Sequence, residues 1–280
     1  MLHSARMGDS LDSHYAAGGI AAGIVAALRA EKGADSAITP EALAPLDHFH
    51  NRGVVATREL MALLAPGPGD HVLDIGCGIG GPARWIAAMS GCRVTGIDLM
   101  PAFCAAAREL VAATGLADRV QIVEGSALAL PFTGGSFDRA YSQNVEMNVA
   151  DKPAMYREAF RVLKPGGVLA LSNLTAGPAG PPHFPVPWAG DASQSFLAAP
   201  GELRQNLLAA GFEILSLVDA TAHVRDTLSA MRAKMAAKGR PALFTHVWMG
   251  ERMWLYQDNV FRSLDEGRLG VVEALARRPD

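Results

Sequence analysis

Cysteine is scarce in this chain: Cys77, Cys92 and Cys104 are the only three, and none forms a CxxC or a Cys/His pair at metal-ligand spacing. That leaves no disulfide framework and no metal-ligand pattern in the sequence, and it predicts reduced core thiols in a cytoplasmic protein. Charge is scarce too: the formal net charge is −3 with no run of one sign, so the field needed to grip nucleic acid is missing. No apolar run reaches the roughly 18 residues of a membrane span, and the start lacks the basic, apolar, small-residue order of a leader. What the chain does have is apolar sequence. Half of its 280 residues are hydrophobic, enough for one large domain or one domain with a cap.

Short apolar strands alternate with amphipathic helices from about residue 71 onward, the order that builds a parallel sheet covered on both faces. Strands are expected at His71–Ile75, Arg93–Ile97, Val120–Glu124, Phe137–Gln143, Val168–Asn173, Phe212–Val218 and over 267–276. Helices are expected at Ile79–Ser90, Pro101–Thr114, Lys152–Leu163 and Pro200–Ala210, with Lys164-Pro165-Gly166-Gly167 as a turn into the fifth strand. Ahead of the first strand, Ile20–Ala30 and Val54–Leu64 read as helices, and Thr39-Pro40-Glu41 reads as an N-cap followed by proline at the first helical position. The predicted division is a helical arm or lid over 1–52, a core over 53–219 and 267–280, and a helical, Met- and Trp-rich cap over 220–266.

The densest chemical signal is Val72-Leu73-Asp74-Ile75-Gly76-Cys77-Gly78-Ile79-Gly80-Gly81-Pro82. A buried strand runs into a glycine-rich turn and then a helix with proline in its first turn, a common ligand cradle in α/β proteins. Gly76, Gly78 and Gly81 match dinucleotide spacing. Asp74, however, would repel a pyrophosphate and favour an ammonium. The stretch resembles the first motif of the class I S-adenosylmethionine-dependent methyltransferases, whose ligand carries an amine and no phosphate. The likeness is to the small-molecule branch that includes sarcosine/dimethylglycine, sugar and quinone-type enzymes. It implies a Rossmann-like, seven-stranded, mostly parallel sheet with helices on both faces and an antiparallel last strand.

Under that resemblance Asp74, Gly76, Cys77 and Gly78 belong to the cofactor site. Asp98, at the end of the second strand, is placed to accept from both ribose hydroxyls, with Leu99 or Met100 against the adenine. Ser126 stands where the family has an acidic residue for the adenine amine, and the Ala127 N–H is available to the same ring. Gln143 aligns with a position whose backbone holds the methionine portion, beside Asn144, and Asn148 stands where relatives often place a histidine.

The acceptor pocket is expected above Asn144 and Asn173, roofed by the arm, the proline loop and the insertion. Tyr15, Asn173, Trp188, His246 and Trp248 are the expected substrate contacts. The reaction implied is in-line displacement at a sulfonium methyl by an N, O or S nucleophile, in which positioning supplies most of the acceleration. His50, Glu146 and His183 are the candidate bases, and Glu146 could instead attract a cationic amine. The partner expected is a small-molecule acceptor, with no nucleic acid, membrane or metal, and a homodimer is left open. Two other readings stay open. An NAD(P)-dependent oxidoreductase is disfavoured by Asp74 and by the lack of a Tyr-x-x-x-Lys pair. An inactive cofactor-binding partner protein is kept open by Ser126 and Asn148.

Overall fold

The computed structural model describes residues 19–280, so Tyr15 lies outside the described residues. Helices Gly19–Lys32 (α1), Pro40–Asp47 (α2) and Val54–Leu64 (α3) precede the sheet. The Thr39 hydroxyl accepts from the Ala42 N–H at 3.2 Å, an N-cap that contributes about 1 kcal/mol.

The core then alternates strand and helix through β1 (His71–Ile75), α4 (Gly81–Ser90), β2 (Arg93–Asp98), α5 (Pro101–Ala113), β3 (Val120–Glu124) and β4 (Phe137–Gln143). A 3₁₀ turn at Glu146–Asn148 leads to α6 (Lys152–Val162), β5 (Leu163–Ala176), α7 (Pro200–Ala209) and β6 (Glu213–Asp219). The insertion forms α8 (Thr221–Lys238), α9 (His246–Met249) and α10 (Arg252–Asp265) before β7 (Leu269–Arg277). Strand order is β3-β2-β1-β4-β5-β7-β6, with β7 antiparallel to both neighbours and the other pairings parallel. The switch in strand order falls between β1 and β4, where open α/β sheets bind their ligands.

Two elements depart from expectation. The helix after the glycine loop starts at Gly81 rather than Ile79, because Gly80 is left-handed at φ 76° and cannot extend it. The Lys164–Gly167 segment is no free turn but part of β5. The Gly166 N–H donates to Arg278 O at 2.9 Å and the Arg278 N–H to Gly167 O at 2.8 Å, which knits it to the end of β7.

Side chains alternate across the sheet, and the two faces bury separate cores. Leu73, Ile75, Ala140, Leu169, Leu171, Val272 and Ala274 pack with Met155 and Tyr156 of α6 and Leu203 and Leu207 of α7. Val72, Val94, Ile122, Tyr141 and Ala170 face Leu60 and Leu64 of α3, Ala83 and Ile86 of α4, and Ala107 of α5. A third cluster joins Leu174 and Val271 to Trp188, Val224, Leu228 and Phe261. The fourth unites Ile24 and Leu28 of α1, Leu46 of α2, Phe103 of α5 and Trp248 of α9. Arm and insertion therefore share one core, built against α5.

Candidate active site

The glycine loop leaves β1 through Gly76, Gly78 and Gly80 at φ 81°, 54° and 76°, values that glycine adopts without a Cβ clash. The N–H groups of Gly76 and Cys77 both donate to Ile97 O, at 2.8 and 3.0 Å, sewing the loop to β2. The Asp98 carboxylate then accepts from the Gly78 N–H at 2.8 Å through Oδ2 and from the Met100 N–H at 2.9 Å through Oδ1. Each oxygen retains a lone pair for a further donor. Burial raises the Asp98 pKa, opposed by the backbone donors of Met100, Gly78 and Leu99. Leu99 is exposed beside it.

Asp74 is buried at the carboxyl end of β1. Its Oδ2 and the Tyr141 hydroxyl each lack a partner of hydrogen-bonding geometry among the described residues, although the phenol lies beside the carboxylate. Burial pushes the Asp74 pKa up to about 7; the Tyr141 hydroxyl opposes the rise and the negative Asp98 adds to it. A buried carboxylate at this pKa accepts a cationic partner with gain, since the partner replaces the water it has lost.

The alternation that turns Asp74 and Tyr141 toward α3 also turns Gln143, Ser172 and Glu273 that way. Together with the arm they form a polar layer. His50 Nε2 meets Gly53 O at 3.0 Å and the Thr57 hydroxyl at 3.1 Å, and that hydroxyl donates to Gln143 Oε1 at 3.3 Å. Arg52, left-handed at φ 66°, is ion-paired to Glu59 of α3 and reaches Glu273 of β7 at 3.1 Å. Glu59 also takes His223 of α8 at 3.0 Å.

The arm sits directly on the loop. A Cβ at Gly81 would collide with the Asp47 carbonyl, and one at Gly78 would stand 2.8 Å from the Phe49 ring. Two of the motif glycines thus serve the approach of the arm.

Residues 73–171 match the family described as a methyltransferase domain. Over 183 residues the chain is 31% identical to the O-methyltransferase resE of Aspergillus sclerotiorum, covering 64% of this chain and 68% of that one. The chain belongs to the class I S-adenosylmethionine-dependent methyltransferases. It is also 36% identical over 129 residues to methyltransferase GfsG of Streptomyces halstedii, 46% of each. The solved [4+2]-cyclase SpnF is 26% identical, with a TM-score of 0.59 over 80% of this chain and 81% of that one. The chain spans about half or less of the length of the first curated relatives it matches.

Within this methyltransferase fold, Asp98 joins the loop to the start of α5 through its hydrogen bonds, and one cofactor candidate changes role. The Cys77 side chain points into the core beneath Gly96, where burial raises its pKa well above the usual thiol value. Its contribution is packing. Ser126 Oγ already accepts from the Leu128 N–H at 3.1 Å, and Asn144 is left-handed at φ 54°.

The catalytic and substrate candidates scatter. Only His50 joins the polar layer, and burial lowers its pKa to about 3. Glu146 is buried on the opposite side, beside Tyr156 and Lys152 of α6, and burial raises its pKa. Asn173 shares a strand face with Leu171 and pairs with Val272, which places it on that same α6/α7 face; both its amide atoms lack partners among the described residues. His183 Nε2 lies 2.7 Å from Glu266, whose pKa falls to about 2 through hydrogen bonds from Arg268, His183 and Arg262. His183 is thus a clasp between the proline loop and the end of α10.

Trp188 donates to the Ser195 hydroxyl at 3.0 Å within the third core. Trp248, 1% exposed, donates to Leu46 O at 2.7 Å and packs edge-on against Phe49 and Phe103. His246 lies against Trp254 at 5.1 Å. Trp188 is thus packed in the third core, and Trp248 and His246 within the insertion.

Sequence reasoning underrated the set Asp47, His48 and Arg84. Nothing local in the sequence ties Asp47 and His48 to an arginine on α4.

Proposed function

We propose that this protein transfers the methyl group of S-adenosylmethionine to a small-molecule acceptor with an N, O or S nucleophile. The observation that carries the reading is Asp74: a buried carboxylate with an unpartnered oxygen among the described residues, beside a glycine loop and close to a second carboxylate at the end of β2. That acceptor set suits an amine-bearing nucleoside with two ribose hydroxyls and opposes a pyrophosphate. Bound S-adenosylmethionine supplies an electrophilic methyl group on a sulfonium. The chain's own residues then bind and orient: Asp74 meets the ammonium, Asp98 the ribose hydroxyls, Leu99 and Met100 the adenine face, and Ser126 with the Ala127 N–H its edge. The backbone at Gln143 and Asn144 borders the methionine portion. The arm and the insertion, sharing one core, form the acceptor cap and exclude water.

Named relatives include O-methyltransferases, so hydroxyl acceptors are the first to test. Three free, buried thiols support a cytoplasmic setting, and no helix of the described residues is long and apolar enough to cross a membrane. Calorimetric titration with S-adenosylhomocysteine and with NADH tests the cofactor, and a screen of alcohols, phenols, amines and thiols for S-adenosylhomocysteine release tests the reaction. NADH binding without S-adenosylhomocysteine binding would sink the proposal. A second reading follows from the likeness to a protein named a [4+2]-cyclase: cofactor binding without methyl transfer. Tight S-adenosylhomocysteine binding with ring closure of a polyene and no methyl product would favour it.

A further inference from the structure

We propose that His48 is the proton acceptor of this site and that Asp47 and Arg84 hold it in that role. The inference rests on the methyl-transfer reading and adds the residue that takes the acceptor's proton.

Asp47 lies fully buried at the end of α2 between two basic side chains. Its Oδ1 meets His48 Nδ1 at 2.7 Å, and its Oδ2 accepts from Arg84 Nη2 at 2.6 Å. Arg84, itself fully buried on α4, donates a second time to Ile79 O at 2.8 Å. In the neutral imidazole the nitrogen facing a carboxylate carries the proton, which leaves the lone pair on His48 Nε2. That Nε2 is buried and has no partner among the described residues. An orphaned buried nitrogen is a cost to the fold and calls for a reason.

The surroundings supply one. The His48 ring stands 5.7 Å from His50, at the margin of the polar layer over the end of β4, and 6.0 Å from Trp85. The charged and titratable groups around it are Asp47, Arg84 of α4, His50 and Arg52 of the arm, and Arg58 of α3, whose guanidinium lies over Trp85 at 4.9 Å. Of the two imidazoles, His50 has only neutral partners, Gly53 O and Thr57. His48 has a carboxylate behind it, which orients the ring and stabilises the imidazolium that proton uptake creates. Arg84 and the contact of Asp47 with Gly81 register this base to the cofactor loop.

The step balances. His48 Nε2 takes the proton from the acceptor's O–H as the oxygen's electron pair forms the bond to the methyl carbon. The pair of the broken S–C bond stays on sulfur, giving S-adenosylhomocysteine, and the imidazolium then yields its proton to solvent.

The test reads His48 directly. Nitrogen-15 NMR of the histidine rings in the full chain, free and with S-adenosylhomocysteine, is assigned by the signal lost in His48→Gln. Expected are a proton on Nδ1 and a bare Nε2. A proton resident on Nε2 overturns the proposal. Glutamine at 48 can still donate to Asp47 but cannot take a proton. His48→Gln should therefore bind S-adenosylhomocysteine within about threefold of the parent. It should lose about 10²–10⁴ in kcat on a hydroxyl acceptor, with KM little changed and the acid limb of the kcat–pH profile gone. A variant that keeps its parent's kcat also overturns it. Failure of the parent to bind S-adenosylhomocysteine refutes the methyl-transfer reading separately, while the ring signals still report on His48.

Discussion

Asp74 holds a proton that most aspartates surrender. In the folded chain it keeps that proton up to about pH 7, against an ordinary value of 3.8. Between those values the folded state binds more protons than the unfolded one, so this group's contribution to stability falls as pH rises from about 4 to about 7. Asp74→Asn should flatten that part of a plot of Tm against pH; an unchanged slope would place the titration elsewhere. A bound ammonium favours the ionised carboxylate, so cofactor binding should release a proton and weaken by up to about tenfold for each pH unit below 7. Titrations of S-adenosylhomocysteine at pH 5.5 and 8 check this. For Asp98→Ala, loss of charged hydrogen bonds predicts about 2–3 kcal/mol of lost cofactor binding, roughly 30- to 150-fold in Kd. Unchanged affinity would mean the ribose lies elsewhere. Both carboxylates were legible in the sequence because each adjoins its strand end and the loop by a few residues. His48, Asp47 and Arg84 were not legible as a unit: 37 residues separate the arginine from its carboxylate, and no local pattern records a contact across that distance.

At the scale of elements, the glycine loop is read differently once the arm is seen on top of it. Gly81→Ala places a methyl against the Asp47 carbonyl, which is backbone and cannot rotate away. Overpacking of this kind costs about 1–3 kcal/mol, and denaturant unfolding should show it with little change in secondary structure. Trp248→Phe removes the only indole donor to Leu46 O among the described residues and leaves that carbonyl buried, at about 1–3 kcal/mol. Strand periodicity foretold β1 through β4 because buried parallel strands are short apolar runs bounded by turn residues. It missed that Lys164–Gly167 is paired, because a Pro-Gly-Gly sequence records the bend but not the partner, which is Arg278. It also did not foretell that Asn173 faces α6 and α7, since the register of an isolated strand does not say which face is which.

The whole molecule couples two segments far apart in sequence. Arm and insertion meet through Trp248, Phe49 and Phe103, and again through Arg52, Glu59 and His223. They should open together. Limited proteolysis is expected to cut near residues 33–39 and 239–245 with similar rates, both slowed by S-adenosylhomocysteine; protection of one without the other would mean two separate lids. The order of strands and helices, the glycine loop and its two carboxylates were determined by the sequence alone, because each depends on periodicity or on residues close along the chain. Only the tertiary structure decided which carboxylate Arg84 holds, which candidates are clasps, and that the arm closes on the loop. Those are matters of which surfaces meet, and that is settled by packing between segments that the sequence keeps apart.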